Sequence, residues 1–306
     1  METLVKNLLE EAPPFIIANT VSSTLDELRN EHIIPVFAKD NHPLVAQSQL
    51  VELMGDVLEG FNDFKIEAPQ IRVSHPIMGR IPDARFKKAI DLLQHEKTIY
   101  FERMMFLFRI PNIRSTIEGQ ELSLVVGGIK SYAWDNLGKD QRTSQSFKFF
   151  IGFQVKVCSN LCVWSDGVVL QFKASSISQI GLEIRSMIER YNADKQLEWM
   201  GSLPNYSLTE PQFAHFIGKC RMYSHLPDKK DIPEILITDS QINSVVKGYY
   251  TDPNFGKVDN EINLWNLYNL ITESNKSTYI DQIIDRGNNS NQIIKALVDR
   301  EPWFTS

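Results

Sequence analysis

The chain lacks the features that would name a chemistry. It has no G-x-S-x-G elbow, no P-loop and no G-x-G-x-x-G turn, which removes three common signatures of hydrolases and nucleotide-binding enzymes. Cysteine is scarce: three in 306 residues. An odd, small number argues against a disulfide framework. The apolar run Met104–Phe108 stops at Arg109, far short of the ~20 residues that span a bilayer. The opening residues METLVKNLLEEAPP lack the basic and apolar regions of a signal peptide. These absences predict a soluble cytoplasmic protein with reduced thiols and no membrane association. Internal repeats, low-complexity tracts and clear linkers are missing too.

What is present is a foldable composition with an uneven charge. Hydrophobic residues make up 42% and aromatic residues 10% of the chain, enough to build a core and to argue against disorder. The formal net charge is −6. An acidic chain, with a pI near 5.6, is poorly suited to sequence-blind binding of polyanions. Yet Lys65–Lys156 holds 15 Lys/Arg against 9 Asp/Glu, a net of +6, which leaves −12 for the rest.

The basic stretch also carries the strongest strand signals. Thr98–Ile110 reads as a long strand closed by Pro111, and Leu122–Tyr132 as the next, joined through Glu118-Gly119-Gln120. Phe147–Val157 reads as the third and Cys162–Phe172 as the fourth, bent at Ser165-Asp166-Gly167. Consecutive strands with short connections predict an antiparallel meander. A helix capped by Ser22 or Ser23 is expected through Arg29. Another spans Val45–Phe61, with Val51, Met54 and Leu58 on one face. Beyond the strands, 176–200 reads as one long helix. Thr209 opens T-E-P-Q, a capping-box pattern. Asp239 and Asn263 are candidate caps for two more helices, and Thr278–Arg286 and Ser290–Arg300 read as a further two. The expected fold is α+β: an antiparallel four- to five-stranded meander packed on a long helix, then a helical C-terminal half. The expected division is 1–64 (arm and helix, net −8), 65–203 (core) and 204–306 (helical).

The third strand carries the most suggestive pattern. One face, Phe147, Phe149, Ile151, Phe153, Val155 and Val157, should meet the core. The other presents Lys148, Phe150, Gly152, Gln154 and Lys156. An aromatic ring between two lysines on an open face suits base stacking with phosphate attraction. The alternative is a second buried face with lysines at a solvated rim. Lys130, Arg72 and Arg80 would extend the cationic surface, and Arg85, Lys87 and Lys88 would form a phosphate-contacting edge. The alternative there is an ordinary solvated loop.

Metal and catalytic readings are thinner. Cys158 and Cys162 with His215, Cys220 and His225 lack the two tight ligand pairs of structural zinc, and buried thiols are the plainer account. Asp135, Lys130 and Asp166 would form a nuclease-like cluster only if their strands meet. The pairs Glu96/Glu102 and Asp281/Asp285 are scattered acids. Gly127-Gly128 reads as a bulge or a close backbone approach, and Trp265 and Tyr268 as core. No catalytic residue, cofactor or metal is therefore assigned.

Several blocks carry a resemblance: HIIPVFAKDNHPL, IRVSHPIMGRIP, ERMMFLFRIP, FIGFQVKVCSNLCVW, SLTEPQFAHFIGKCRMY and INLWNLYNLITESNKSTYIDQIIDR. Together they are similar to an uncharacterised Bacteroidetes domain-of-unknown-function family found in phages and mobile elements. LWNLYNLIT is also similar to a broader phage- and plasmid-like family. The resemblance implies a mobile-element context and carries over no site residue. A meander followed by a long helix resembles, at fold level only, the core of single-strand annealing proteins. The leading expectation is a non-catalytic single-stranded nucleic-acid-binding protein of a mobile element. It would contact the strand through Lys148, Phe150, Lys156, Lys130, Arg72 and Arg80. A protein-interaction or host-inhibitor module, with a host or phage protein as partner, is the second. A metal-dependent enzyme on nucleic acid is the third.

Overall fold

The computed structural model describes residues 13–30, 45–84, 86–135, 144–163 and 169–305. Its centre is an antiparallel seven-stranded sheet. Strands β1 (Val21–Ser23), β2 (Gln70–Val73), β5 (Arg103–Ile117), β6 (Gln120–Ser131) and β7 (Gln145–Val155) follow in order. Strands β8 (Leu161–Val163) and β9 (Val169–Ala174) share the far side of β7. Two small pairs stand apart: β3 (Pro76–Arg80) with β4 (Lys97–Phe101), and β10 (Ser207–Thr209) with β11 (Glu261–Asn263). The α+β class and the helical C-terminal half are as expected, and the sheet is wider because the N-terminal segment and β2 add strands.

Local chemistry accounts for the strand ends. Glu118 and Gly119 both take positive φ, 48° and 75°, and Ile117 faces Gln120 across them. This is the two-residue turn whose twist matches a hairpin. Pro111 does not close the strand. The register shifts between Ile110 and Arg114, and such an irregularity lets a residue without an N–H stay within the strand. The break comes instead at Glu102, between β4 and β5.

Helix α1 (Leu25–Asn30) is capped by Thr24, whose Oγ1 accepts from the Glu27 N–H at 3.1 Å, rather than by Ser22 or Ser23. Helix α2 (Gln47–Glu59) buries Val51, Met54 and Leu58 as its spacing requires. The expected long helix is two: α3 (Ile177–Arg190) and α4 (Ala193–Ser202). Between them Asn192 is extended, and its side chain accepts from the Lys195 N–H. A short polar side chain that caps its own backbone restarts a helix there.

Helix α5 (Glu210–Tyr223) has the capping box of Thr209 and Gln212. Helix α6 (Asp239–Thr251) is capped one residue earlier than expected, by Thr238. Helix α7 (Leu264–Asn275) is capped by Asn263, which accepts from the Asn266 N–H at 2.8 Å. Helix α8 (Ile283–Val298) replaces the expected last pair and runs through Gly287-Asn288-Asn289. Asn289 does not break it, because its amide binds the backbone of another segment: Oδ1 accepts from Leu236 N–H and Nδ2 donates to Glu234 O. A short helix, α9 (Pro302–Thr305), ends the fold.

Both faces of the sheet are buried. Phe106, Leu124, Phe147, Phe149 and Ile151 join α2 and α3 in one large cluster. The helices approach closely at Gly181, where an added Cβ would lie 3.2 Å from the Leu53 side chain. That cluster also takes in Trp265 and Tyr268 of α7 and reaches Phe304. On the opposite face Met105, Leu107, Val125 and Phe150 meet Phe15 and Ile16 of the N-terminal segment and Ile283 and Ile284 of α8.

Candidate functional site

Strand β7 alternates as its sequence requires, but the second face is closed. Phe150 is 0% exposed. It packs over Gly127, where an added Cβ would lie 2.5 Å from its ring and 2.3 Å from the Phe106 carbonyl oxygen. The double glycine is therefore a close approach of backbone and ring. The expected open Lys–Phe–Lys face is overturned by this packing: Phe15, Ile16 and the start of α8 lie where a nucleic-acid base would have to stack. Val157, expected in the core, lies past the end of β7 and is exposed.

The lysines on this face are paired inside the molecule. Lys148 is buried, and its Nζ donates to both Asp285 carboxylate oxygens, at 2.8 and 2.9 Å. The Trp134 ring lies 5.5 Å away. Lys130 is fully buried, with Asp135 Oδ2 at 2.5 Å, Ser146 O at 3.3 Å and the Phe147 ring centroid at 4.4 Å. Burial pulls the Lys130 pKa down and the Asp135 carboxylate pulls it back up; the net direction is down. Asp135 and Lys130 thus converge, but as a closed ion pair. Asp166, the third member of the expected cluster, lies outside the described residues.

The remaining candidates are scattered. Lys156 is exposed beyond β7 and pairs with Glu121 at 3.2 Å. The Arg72 guanidinium donates to Ser22 Oγ at 2.7 Å and to Thr20 O at 2.8 Å, tying β2 to the N-terminal segment. Arg80 stands on β3 and donates to the Lys87 carbonyl; Arg85 lies outside the described residues. The six residues do not form one surface.

The cysteines behave as small core groups. Cys162 and Cys220 are buried. Burial pushes the Cys158 thiol up to about 11 and the Cys220 thiol up to about 12. Among the described residues no three His, Cys, Asp or Glu side chains gather closely enough to hold a metal ion, and no helix is long and apolar enough to cross a membrane.

The open, chemically distinctive surface is the arm Pro76–Phe101. Strands β3 and β4 form its root, with Met78 opposite Ile99, so these two side chains share a face. Met78 is 66% exposed, Phe86 87% and Ile90 90%; Leu93 and Ile99 are exposed as well. Lys88 and Lys97 are exposed beside them, while Lys87 pairs with Glu96. Sequence reasoning picked out the cations of this arm, Arg80, Arg85, Lys87 and Lys88, but not its apolar residues, because Pro76 and Pro82 mark loops. The available signal was Phe86, Ile90 and Leu93, large apolar residues spaced i, i+4, i+7 as on one face of a helix, in a segment that forms only short 3-10 turns.

A family described as "Domain of unknown function, B. Theta Gene description" matches residues 6–300. The chain belongs to this family, DUF3871. Because the match spans both the sheet and the helical half, the DUF3871 unit includes the arm and the segments that close the second sheet face. No curated protein and no solved structure matches the chain.

Proposed function

We propose that this protein is a protein-interaction module that docks on its partner through the Pro76–Phe101 arm. The observation that carries this is the concentration of apolar side chains there. Among the described residues, five of fourteen exposed large hydrophobic residues (Met78, Phe86, Ile90, Leu93, Ile99) fall within that arm. Scattered single exposures are ordinary, whereas five within one short segment favour a binding role for it. The fitting partner has an apolar groove bordered by carboxylates, because the arm carries five Lys/Arg and three Asp/Glu on an otherwise acidic chain. Rim charges of this kind set association rate and selectivity more than affinity.

A second reading keeps single-stranded nucleic acid as ligand and moves it from the sheet to the arm. It is favoured by the arm carrying the exposed Phe86 together with Arg80, Lys88 and Lys97, the aromatic–basic mixture that stacking platforms use. The mobile-element setting belongs to this same reading.

The test compares wild type with the double variant Phe86→Ser/Ile90→Ser. Docking predicts that a protein captured reproducibly by the wild type, then purified and titrated, binds the variant at least about tenfold more weakly. Equal affinity of both forms would remove the arm from the interface. Oligonucleotide binding at ~50 mM salt that weakens steeply as salt rises would favour the second reading.

A further inference from the structure

The arm is the distal end of a ribbon. Strand β2 runs through Ser74-His75 into β3, and β4 runs through Glu102 into β5. Strands β3 and β4 therefore continue the β2–β5 pair past the end of the seven-stranded sheet. A two-stranded ribbon is marginal in water on its own, and this arm carries exposed apolar side chains and a formal +2. We propose that its partner is a second copy of this chain, and that the arm of one copy docks on the patch around Tyr250 and Val258 of the next. This inference rests on the reading of the arm as a docking surface.

The patch has an ordered framework. Tyr250, near the end of α6, and Val258, in the turn that leads to β11, are both exposed. Glu210 joins them: its Oε1 accepts from the Tyr250 hydroxyl at 2.9 Å, and its N–H donates to Asn260 O at 3.0 Å. Val258 N–H donates to Glu261 O, and Glu261 N–H to Val258 O, both at 2.9 Å. Between them Asp259 and Asn260 take φ of 49° and 64°, the two-residue turn of a hairpin. That turn holds Val258 beside the exposed Asp259 and Glu261.

Charge selects the occupant. The segment Asp252–Glu261 holds three carboxylates and one lysine, a formal −2, and Glu210 beside it adds another carboxylate. The lysine is held within the patch: Lys257 Nζ donates to Glu210 Oε2 at 3.1 Å and to Asn260 Oδ1 at 2.8 Å. The rim therefore presents Asp259 and Glu261 next to an apolar side chain. The arm presents the opposite arrangement, with the exposed Lys88 and Lys97 among its apolar residues. Arm against patch brings opposite charges together around apolar contacts, whereas arm against arm would set +2 against +2.

Position sets the symmetry. The patch adjoins the start of α7, because Asn263, the last residue of β11, caps that helix. The foot of the arm lies by the other end, where the Lys276 carbonyl accepts the N–H groups of Ile17 and Ala18 and Arg103 reaches Asp281 at 3.4 Å. The twelve residues of α7 put about 18 Å between its ends. Arm and patch are thus different places on one copy, and their pairing between copies is heterologous. Each added copy leaves one arm and one patch open, so assembly continues head to tail unless the rotation closes a ring.

The experiment follows the mass of the full chain by light scattering or sedimentation from about 1 µM to about 500 µM. Wild type should rise from the monomer mass of 35.1 kDa by at least about twofold, and the rise should shrink as salt screens the rim charges. Phe86→Ser/Ile90→Ser on the arm and Val258→Lys on the patch should each weaken association at least about tenfold. Val258 is 68% exposed, so its variant should keep the wild-type melting curve, and that curve is recorded. Mixing the two variants is the decisive step. The intact arm of Val258→Lys meets the intact patch of Phe86→Ser/Ile90→Ser, so the mixture should form a dimer that stops at two chains. The proposal is overturned by a wild type that stays monomeric to about 500 µM, by association that Val258→Lys leaves unchanged, or by a mixture that stays monomeric. A monomeric wild type whose arm still captures another protein removes the second copy and keeps the arm as a docking surface. Self-association that Phe86→Ser/Ile90→Ser leaves unchanged removes the arm itself.

Discussion

Replacing Asp135 by Asn isolates the energetics of the buried Lys130 pair. Asparagine keeps the shape and an oxygen able to accept the Ser146 N–H, which Asp135 Oδ1 now accepts at 2.7 Å. It removes the charge that faces a fully buried ammonium. Removing one partner of such a pair costs about 3–5 kcal/mol. An independent ceiling comes from the lysine itself, because the unpaired ammonium can lose its proton. Measured from the ordinary value of 10.5, that loss costs about 4.8 kcal/mol at pH 7 and about 0.7 kcal/mol at pH 10. The sign follows from proton counts. The folded-state pKa of Lys130 is already lowered, and the variant lowers it further. Between the folded value and 10.5 the unfolded chain binds more protons, so stability rises with pH through that window. The variant should therefore lose about 3–5 kcal/mol at pH 7 and about 1 kcal/mol or less at pH 10. Urea titrations of both proteins at the two pH values measure this. A deficit equal at pH 7 and pH 10 would refute the argument that an unpaired buried charge is its source.

Other perturbations test the closed sheet face. Phe150→Ala should destabilise by about 3–5 kcal/mol in the same urea titrations, as deletion of a core ring does; a loss under about 1 kcal/mol would mean the face is open. Gly127→Ala drives a methyl group into the Phe106 carbonyl and the Phe150 ring and should cost about 1–3 kcal/mol or more. For the thiols, burial and raised pKa predict that Ellman's reagent at about pH 8 reacts slowly with the native chain and fast after denaturation. A rapid native reaction of Cys220 would contradict its position. Asn263→Ala should cost about 1 kcal/mol through loss of the α7 cap, read as a lowered melting temperature.

What could be read from the sequence was what its local chemistry decides. The Glu118-Gly119 hairpin, the core face of β7, the burial of Val51, Met54 and Leu58, and the caps at Thr209 and Asn263 each depend on residues a few positions apart. The misjudged boundaries depend on distant partners. Pro111 stays in a strand because the β5–β6 register shifts around it. Gly287-Asn288-Asn289 stays helical because Asn289 binds the backbone near Glu234. The candidate site failed for the same reason. A strand of alternating aromatics reads alike whether one face or both are covered, and here the cover comes from Phe15, Ile16 and α8, at opposite ends of the chain.

The basic window has a spatial explanation. Its excess of cations is matched partly by acids from elsewhere in the sequence: Lys148 pairs with Asp285, and Arg103 with Asp281. Within the window, Lys130 pairs with Asp135, and Arg114 and Lys156 share Glu121. A sequence window counts charges along the chain, whereas electrostatics acts through space, where Asp281 just before α8 and Asp285 in its first turn supply two of the missing carboxylates. The cations at Lys148 and Lys130 serve to dock α8 and to close the end of β6 against β7. The exposed Lys88 and Lys97 lie on the arm, beside its apolar side chains. The imbalance therefore divides into a structural part on the sheet and a smaller accessible part, and only the accessible part is available to a partner.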